Sequence, residues 1–166
     1  ALAILLFIFA TNAAISIGVF LTDPKRSQNQ VFLLFSSSLG LWVICVIGII
    51  NSSVSFMAEI GIRGASIAGA SIPVTFYLFC QSISSPERTF RQLCGKSKLI
   101  LYLSIVVAIM CATTFFLSDV VMPTEENGLR VPEATYGPGF IIFMLFFPLV
   151  IYRTIFHLRF ELCYIL

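Results

Sequence analysis

The chain has 166 residues, of which 58% are hydrophobic and 11% charged, with a formal net charge of +2 and a mean hydropathy of +1.00. A soluble domain carries about 25% charged residues, so this composition excludes a conventional water-soluble fold. The net charge by itself says nothing about nucleic acid, the distribution of the charges says more, and no nucleic-acid partner is expected.

Five apolar segments approach the length of about 20 residues needed to cross roughly 30 Å of hydrocarbon. They cover about residues 1–21, 31–50, 59–82, 99–118 and 139–157. The expected fold is all-α, a polytopic transmembrane helix bundle forming one domain over 1–166, with the lipid bilayer as its solvent. The first segment has Asn12 as its only strongly polar residue and stops at Asp23-Pro24, where a helix cannot easily continue. It lacks a basic leader and a small-residue cleavage site, so it reads as a retained helix rather than a signal peptide. With Ala1 first and Leu166 soon after an apolar run, the chain is expected to be a fragment of a longer protein.

The second segment runs through Ser36-Ser37-Ser38, Gly40 and Trp42 and closes at Asn51-Ser52-Ser53. The third has small residues at helical spacing: Gly61, Ala65 and Gly69 step by four, and Gly64 and Ala68 form a parallel row. In water each such glycine would cost a helix about 0.5–1 kcal/mol relative to alanine. In a bilayer, small faces let neighbouring helices approach closely. A helix small on several sides is expected to have neighbours on several sides, which places this segment at the centre of the bundle. It also carries Pro73, and the last segment carries Pro148; each removes a backbone hydrogen bond and favours a kink. Gly61, Gly69, Pro73, Pro138 and Pro148 are accordingly the candidate hinge and structural positions.

Charge sets the expected orientation. Eight of the ten basic residues (Lys25, Arg26, Arg88, Arg91, Lys96, Lys98, Arg153 and Arg159) fall on one side of a five-span topology. Arg63 and Arg130 fall on the other, with Glu59, Asp119, Glu125, Glu126 and Glu133. Positive charge stays in the cytoplasm, so the N-terminus is expected outside and the C-terminus inside. Arg63 then lies near the outer boundary. There it can snorkel to the interface, pair with Glu59 one helical turn away, or face the bundle and meet an anionic ligand group.

Tyr136-Gly137-Pro138-Gly139 reads as a tight turn into the fifth segment, with glycine supplying positive φ and proline fixing its own. Tyr136 is either an interfacial aromatic anchor or a ligand contact. Other polar groups within reach of a pocket are Asn12, Ser37, Ser66, Ser71, Thr75, Tyr77 and Gln81, several of which can equally hold helices together. The ligand-binding candidates are Arg63, Asn51, Ser66 and Tyr136.

No catalytic constellation is visible, and the chain is not expected to be an enzyme. It has no phosphate-binding glycine loop, no metal-ligand spacing and no nucleophile with a base; neither a metal nor a cofactor is expected. The five cysteines show no paired spacing and read as reduced thiols and small packing residues. The single histidine, His157, sits beside Arg153 and Arg159 and reads as an interfacial anchor.

The order of these features resembles a known family. The link Asp23-Pro24-Lys25-Arg26-Ser27-Gln28-Asn29-Gln30-Val31-Phe32 is followed by Leu39-Gly40-Leu41-Trp42. Then comes the pattern of Arg63, Gly69, Pro73, Phe76 and Phe79, and finally Tyr136-Gly137-Pro138-Gly139-Phe140. From about Leu21 to Arg159 the chain resembles the N-terminal seven-transmembrane sensor region of bacterial histidine kinases and related diguanylate cyclases. That resemblance implies two further spans, a cytoplasmic output domain and a homodimer formed through the full-length protein. It also implies a place in the bacterial cytoplasmic (inner) membrane. The tail from Phe160 departs from the basic link expected before a sixth span. The expected function is a sensory input module that passes an extracytoplasmic or membrane signal, such as an unknown small ligand, to that output domain. The alternatives are a transporter or permease fragment, with Pro73 in a discontinuous helix, and a non-catalytic membrane anchor or assembly subunit. In the anchor the small face of the third segment would be an intersubunit contact.

Overall fold

The computed structural model describes residues 2–123 and 131–165, the side chains of 157 and 159–165 excepted. The part of the long polar segment that carries Glu125, Glu126 and Arg130 therefore lies outside the described residues, as do the side chains of His157 and Arg159. Six helices follow one another: α1 (Leu2–Thr22), α2 (Ser27–Ile50), α3 (Ser55–Ser84), α4 (Phe90–Lys96), α5 (Lys98–Cys111) and α6 (Gly139–Ile165). Between α5 and α6, β1 (Leu117–Val121) and β2 (Glu133–Tyr136) form an antiparallel two-stranded ribbon. Four helices are long and apolar enough to cross a membrane. A fifth crossing is available if α4 and α5, bent by 78° at their junction, count as one element. The architecture is a helical bundle consistent with a multi-pass membrane protein.

The outward faces fit that solvent. Phe7, Leu21, Leu99, Tyr102 and Leu145 are each about two-thirds exposed or more, which would be costly in water and costs nothing against lipid tails. Burial concentrates instead on α3: 56% of its most apolar window is buried, against 22% in α2 and α6 and 6% in α1. The small-residue helix is thus the centre of the bundle, and its glycines show why. A side chain added at Gly61 would come within 2.7 Å of Ile49, and one at Gly64 within 2.9 Å of the Cys45 sulfur. These small faces are spent on packing α3 against α2 within the chain, the close approach that small residues permit.

Turn chemistry sets the remaining joints. At the α1–α2 corner the Lys25 N–H donates to Asp23 Oδ1 (3.1 Å) and the Arg26 N–H to the Asp23 carbonyl (3.2 Å). This lets α2 start at Ser27, four residues before the apolar run begins. α1 is held along α2 by Asn12, whose amide donates to the Ser36 carbonyl at 2.8 Å. α4 opens with the Thr89 N–H donating to the Gln92 side chain (2.9 Å), the reciprocal half of a capping box. It is pinned by Leu93, fully buried with Val31 and Leu78. At this end Ser97 Oγ donates to Gln81 Oε1 (2.9 Å) and Gln81 Nε2 donates to the Tyr77 hydroxyl (2.7 Å), a buried polar chain joining α3 to the α4–α5 bend.

Besides the early start of α2 and the longer α3, Ser55–Ser84 against the expected 59–82, the structure differs from the sequence expectation in the following places. The fourth apolar run was expected as a helix over 99–118, but α5 ends at Cys111 and residues 117 and 118 belong to β1. Its 14 residues span about 21 Å, and beyond them Phe116 and Leu117 turn inward instead of continuing along the axis. α6 runs on to Ile165, past the expected end at 157. The apolar stretch marks where hydrocarbon would end, whereas a helix stops only where backbone or side chains break it. α3, finally, is one unbroken helix of 30 residues through Pro73.

Candidate functional site

Arg63 ends α5. Its Nη1 donates to the carbonyls of Cys111 (3.5 Å) and Thr113, and its Nη2 to the carbonyl of Leu117 (3.2 Å). On the other side Nε and Nη2 donate to Glu59 Oε1 at 2.9 and 2.7 Å. The last carbonyls of a helix have no partner inside it and attract a cation. A guanidinium offers five N–H groups in a fixed fork, and these five contacts use it fully. The side chain is 15% exposed, Glu59 41%. Arg63 therefore faces the bundle and bolts α3 to the end of α5 and to β1. Ser55 Oγ adds a longer contact to the Val120 carbonyl (3.5 Å).

Beside this clamp lies a cleft of about 690 Å³ between α2, α3 and α6, capped by Phe116 and by Tyr136 of β2. Its floor includes the buried Gly69, and its rim includes Trp42 and Met144, which are half-exposed. Six aromatic side chains line it: Trp42, Phe116, Tyr136, Phe140, Phe143 and Phe147. Phe116 organises them. It meets Tyr136 and Phe143 edge to face, with centroids 5.5 and 5.6 Å away, while Tyr136 stacks on Phe140 at 4.2 Å. Such pairs add about 0.5–1.5 kcal/mol beyond their burial, and here they hold the ribbon against α6. Partial burial pushes the Tyr136 phenol above its ordinary pKa, so it stays protonated at neutral pH.

The ribbon's seat explains the glycines around Pro138. A Cβ at Gly137 would strike the Phe115 carbonyl oxygen, and one at Gly139 would lie 2.8 Å from the Phe115 ring. The Gly137 and Gly139 N–H groups donate to the Phe116 and Phe115 carbonyls at 2.8 and 3.0 Å. Neither glycine has positive φ, so the expected reason for them is corrected: they are needed for close backbone approach, not for a left-handed conformation.

Of the four ligand-binding candidates, Ser66 and Tyr136 line the cleft; Arg63 and Asn51 do not. Asn51 caps the end of α2, its side chain donating to the Ile47 carbonyl at 2.8 Å. Among the hinge candidates Gly69 and Pro148 line the cleft, Gly61 packs on α2, Pro73 is buried within α3 and Pro138 leads into α6. The sequence reading missed Trp42, Phe116, Phe140 and Phe143 as site residues. A signal existed only for Trp42, the sole tryptophan, since phenylalanines in an apolar run carry no mark of their facing. Among the described residues no three His, Cys, Asp or Glu side chains gather as a metal site would require. Comparison of the chain with protein-family models, curated proteins and solved structures found no match.

Proposed function

We propose that the chain is the membrane-embedded sensory input region of a bacterial signal-transduction protein, such as a histidine kinase or diguanylate cyclase. In this proposal it sits in the cytoplasmic membrane as five spans, with α4 and α5 together as the fourth, the ribbon outside and α4 inside. The basic residues Arg88, Arg91, Lys96 and Lys98 around the α4–α5 bend favour an interfacial place for α4. They disfavour a re-entrant loop, in which these charges would enter hydrocarbon.

One observation carries the sensory role: the cleft joins Phe116, which leads into the ribbon, and Tyr136 of β2 to Gly69 of α3 and Pro148 of α6. Filling the cleft would change how the ribbon and α6 sit against α3. A signal passes only if the ligand binds two packings with different affinity, and a seam between three helices offers two packings. α3 continues through Pro73, so the broken helix that would favour a permease is not present there. At Gly61 and Gly64 its small face is taken up by α2 of the same chain, which weighs against an intersubunit contact there.

The test is the output activity of the full-length protein in native membranes. Gly69→Leu, which fills the cleft, should lock the activity at one level whatever the stimulus. Gly48→Leu, where a side chain meets open space, should respond as the parent does. Equal stimulus responses from the two variants would defeat the proposal.

A further inference from the structure

The wall of the cleft specifies a class of ligand, given the sensory role above, on which this inference rests. In a helix the carbonyl of residue i accepts the N–H of residue i+4, and proline has none. Pro73 therefore deprives the Gly69 carbonyl of its donor, and Pro148 does the same to the Met144 carbonyl. Both prolines lie inside their helices, and Gly69 and Met144 both line the cleft. Two helices thus each place on the wall of the same cavity a residue whose carbonyl lacks its helical donor. Ser66 is a third acceptor, because its own proton is committed to the Ile62 carbonyl at 2.9 Å. The Tyr136 hydroxyl completes the polar set, and among the described residues no side chain ionised at neutral pH lines the cleft.

We propose that the cleft binds an uncharged, flat, aromatic amphiphile drawn from the bilayer and bearing a hydroxyl donor. Its ring face stacks among Trp42, Phe116, Phe140 and Phe143, and its hydroxyl donates to a proline-freed carbonyl. A charged ligand would enter an apolar wall with no counter-ion, at high cost. An acyl chain fits the apolar wall but brings no donor to the acceptors and no face to stack. The volume of about 690 Å³ lies within the range of small-molecule sites.

Trp42 is the only tryptophan and stands on the rim, so energy transfer from it reports occupancy. In nanodiscs the whole protein is titrated with 1-hydroxypyrene and, separately, with pyrene. Saturable transfer is expected for 1-hydroxypyrene, with pyrene about three- to tenfold weaker, the worth of one hydrogen bond. Pro148→Ala restores a donor to the Met144 carbonyl and should narrow that difference. Gly69→Leu should abolish saturation and Gly48→Leu should leave it intact. Transfer that rises linearly with both probes and ignores Gly69→Leu is bilayer partitioning alone and overturns the site. Equal affinity for the two probes overturns the hydroxyl requirement. If 1-hydroxypyrene binds saturably but the full-length output never responds, the sensory role falls and the site stands. If output depends on Gly69 yet neither probe saturates, the ligand class falls and the sensory role stands.

Discussion

The Arg63 guanidinium and the carbonyl oxygen of Leu117 lie 3.2 Å apart, joining the central helix to the first strand of a ribbon 54 positions away in sequence. The same side chain donates to the Cys111 carbonyl, and to the Thr113 carbonyl that also accepts from the Phe116 and Leu117 N–H groups, so removing it would take a donor from a helix end and from a strand at once. Arg63→Met should cost about 1–3 kcal/mol, the range for unpaired buried polar groups. Arg63→Lys should recover little, because a point charge with three donors cannot reach all of these acceptors. Glu59→Gln should cost less, under about 1 kcal/mol, since that carboxylate is substantially exposed. Thermal unfolding in detergent ranks the three variants, and amide exchange at 117–121 should rise in Arg63→Met specifically.

Gly137 and Gly48 make opposite predictions for one substitution. At Gly137 an added Cβ strikes the backbone of Phe115, whereas at Gly48 it meets nothing within 4 Å. Gly137→Ala must displace backbone or break the Gly137 N–H bond to Phe116, and overpacking of this kind costs about 1–3 kcal/mol. Gly48→Ala should be neutral or stabilising by up to about 1 kcal/mol, through helix propensity. Melting temperatures of the two variants, measured side by side, check the contrast.

Much of the bundle was legible because its rules are local. Uncharged runs located α1, α2, α3 and α6; Asp23-Pro24 located the first corner; and the spacing of Glu59 and Arg63 anticipated their pair. Small residues at steps of four placed α3 at the centre. The missing parts were all set at long range. Where α5 ends, a guanidinium from α3 meets the Cys111 carbonyl, and no window around Cys111 contains that arginine. The apolar residues Phe115-Phe116-Leu117 extended the hydropathy signal past the helix, although Phe116 in fact turns in to become the hub of the aromatic cluster. The cleft was half visible: Ser66, Tyr136, Gly69 and Pro148 were singled out, but only the packing of α2, α3 and α6 brings them to one cavity.

The buried chain Tyr77–Gln81–Ser97 supplies a third prediction, at the opposite end from the ribbon. Gln81 is 5% exposed and Ser97 2%; the Gln81 amide oxygen accepts from Ser97 and so links α3 to the α4–α5 bend, while its nitrogen donates to Tyr77 one turn back on α3. Gln81→Leu keeps the volume but strands the Ser97 hydroxyl, so a loss of about 1–3 kcal/mol is expected. Replacing Ser97 by alanine in the same background should restore part of it, because the orphaned hydroxyl is then gone. A double-mutant cycle by thermal unfolding measures that coupling, and additive losses would show that the contact contributes nothing.

Pro148 supplies the last prediction, on transmission. It lies inside α6, lines the cleft, and deprives the Met144 carbonyl of its helical donor. Pro148→Ala restores that hydrogen bond and removes the steric cause of a kink. The variant should be at least as stable as the parent, since a proline in a helix interior costs about 3 kcal/mol. Its stimulus response should nonetheless shrink, because an α6 with its hydrogen-bond ladder complete has less freedom to adopt a second packing against α3. Stability and response are therefore expected to move in opposite directions. Melting temperature and output activity of the same full-length variant test this, and a response that stayed intact alongside higher stability would separate Pro148 from signalling.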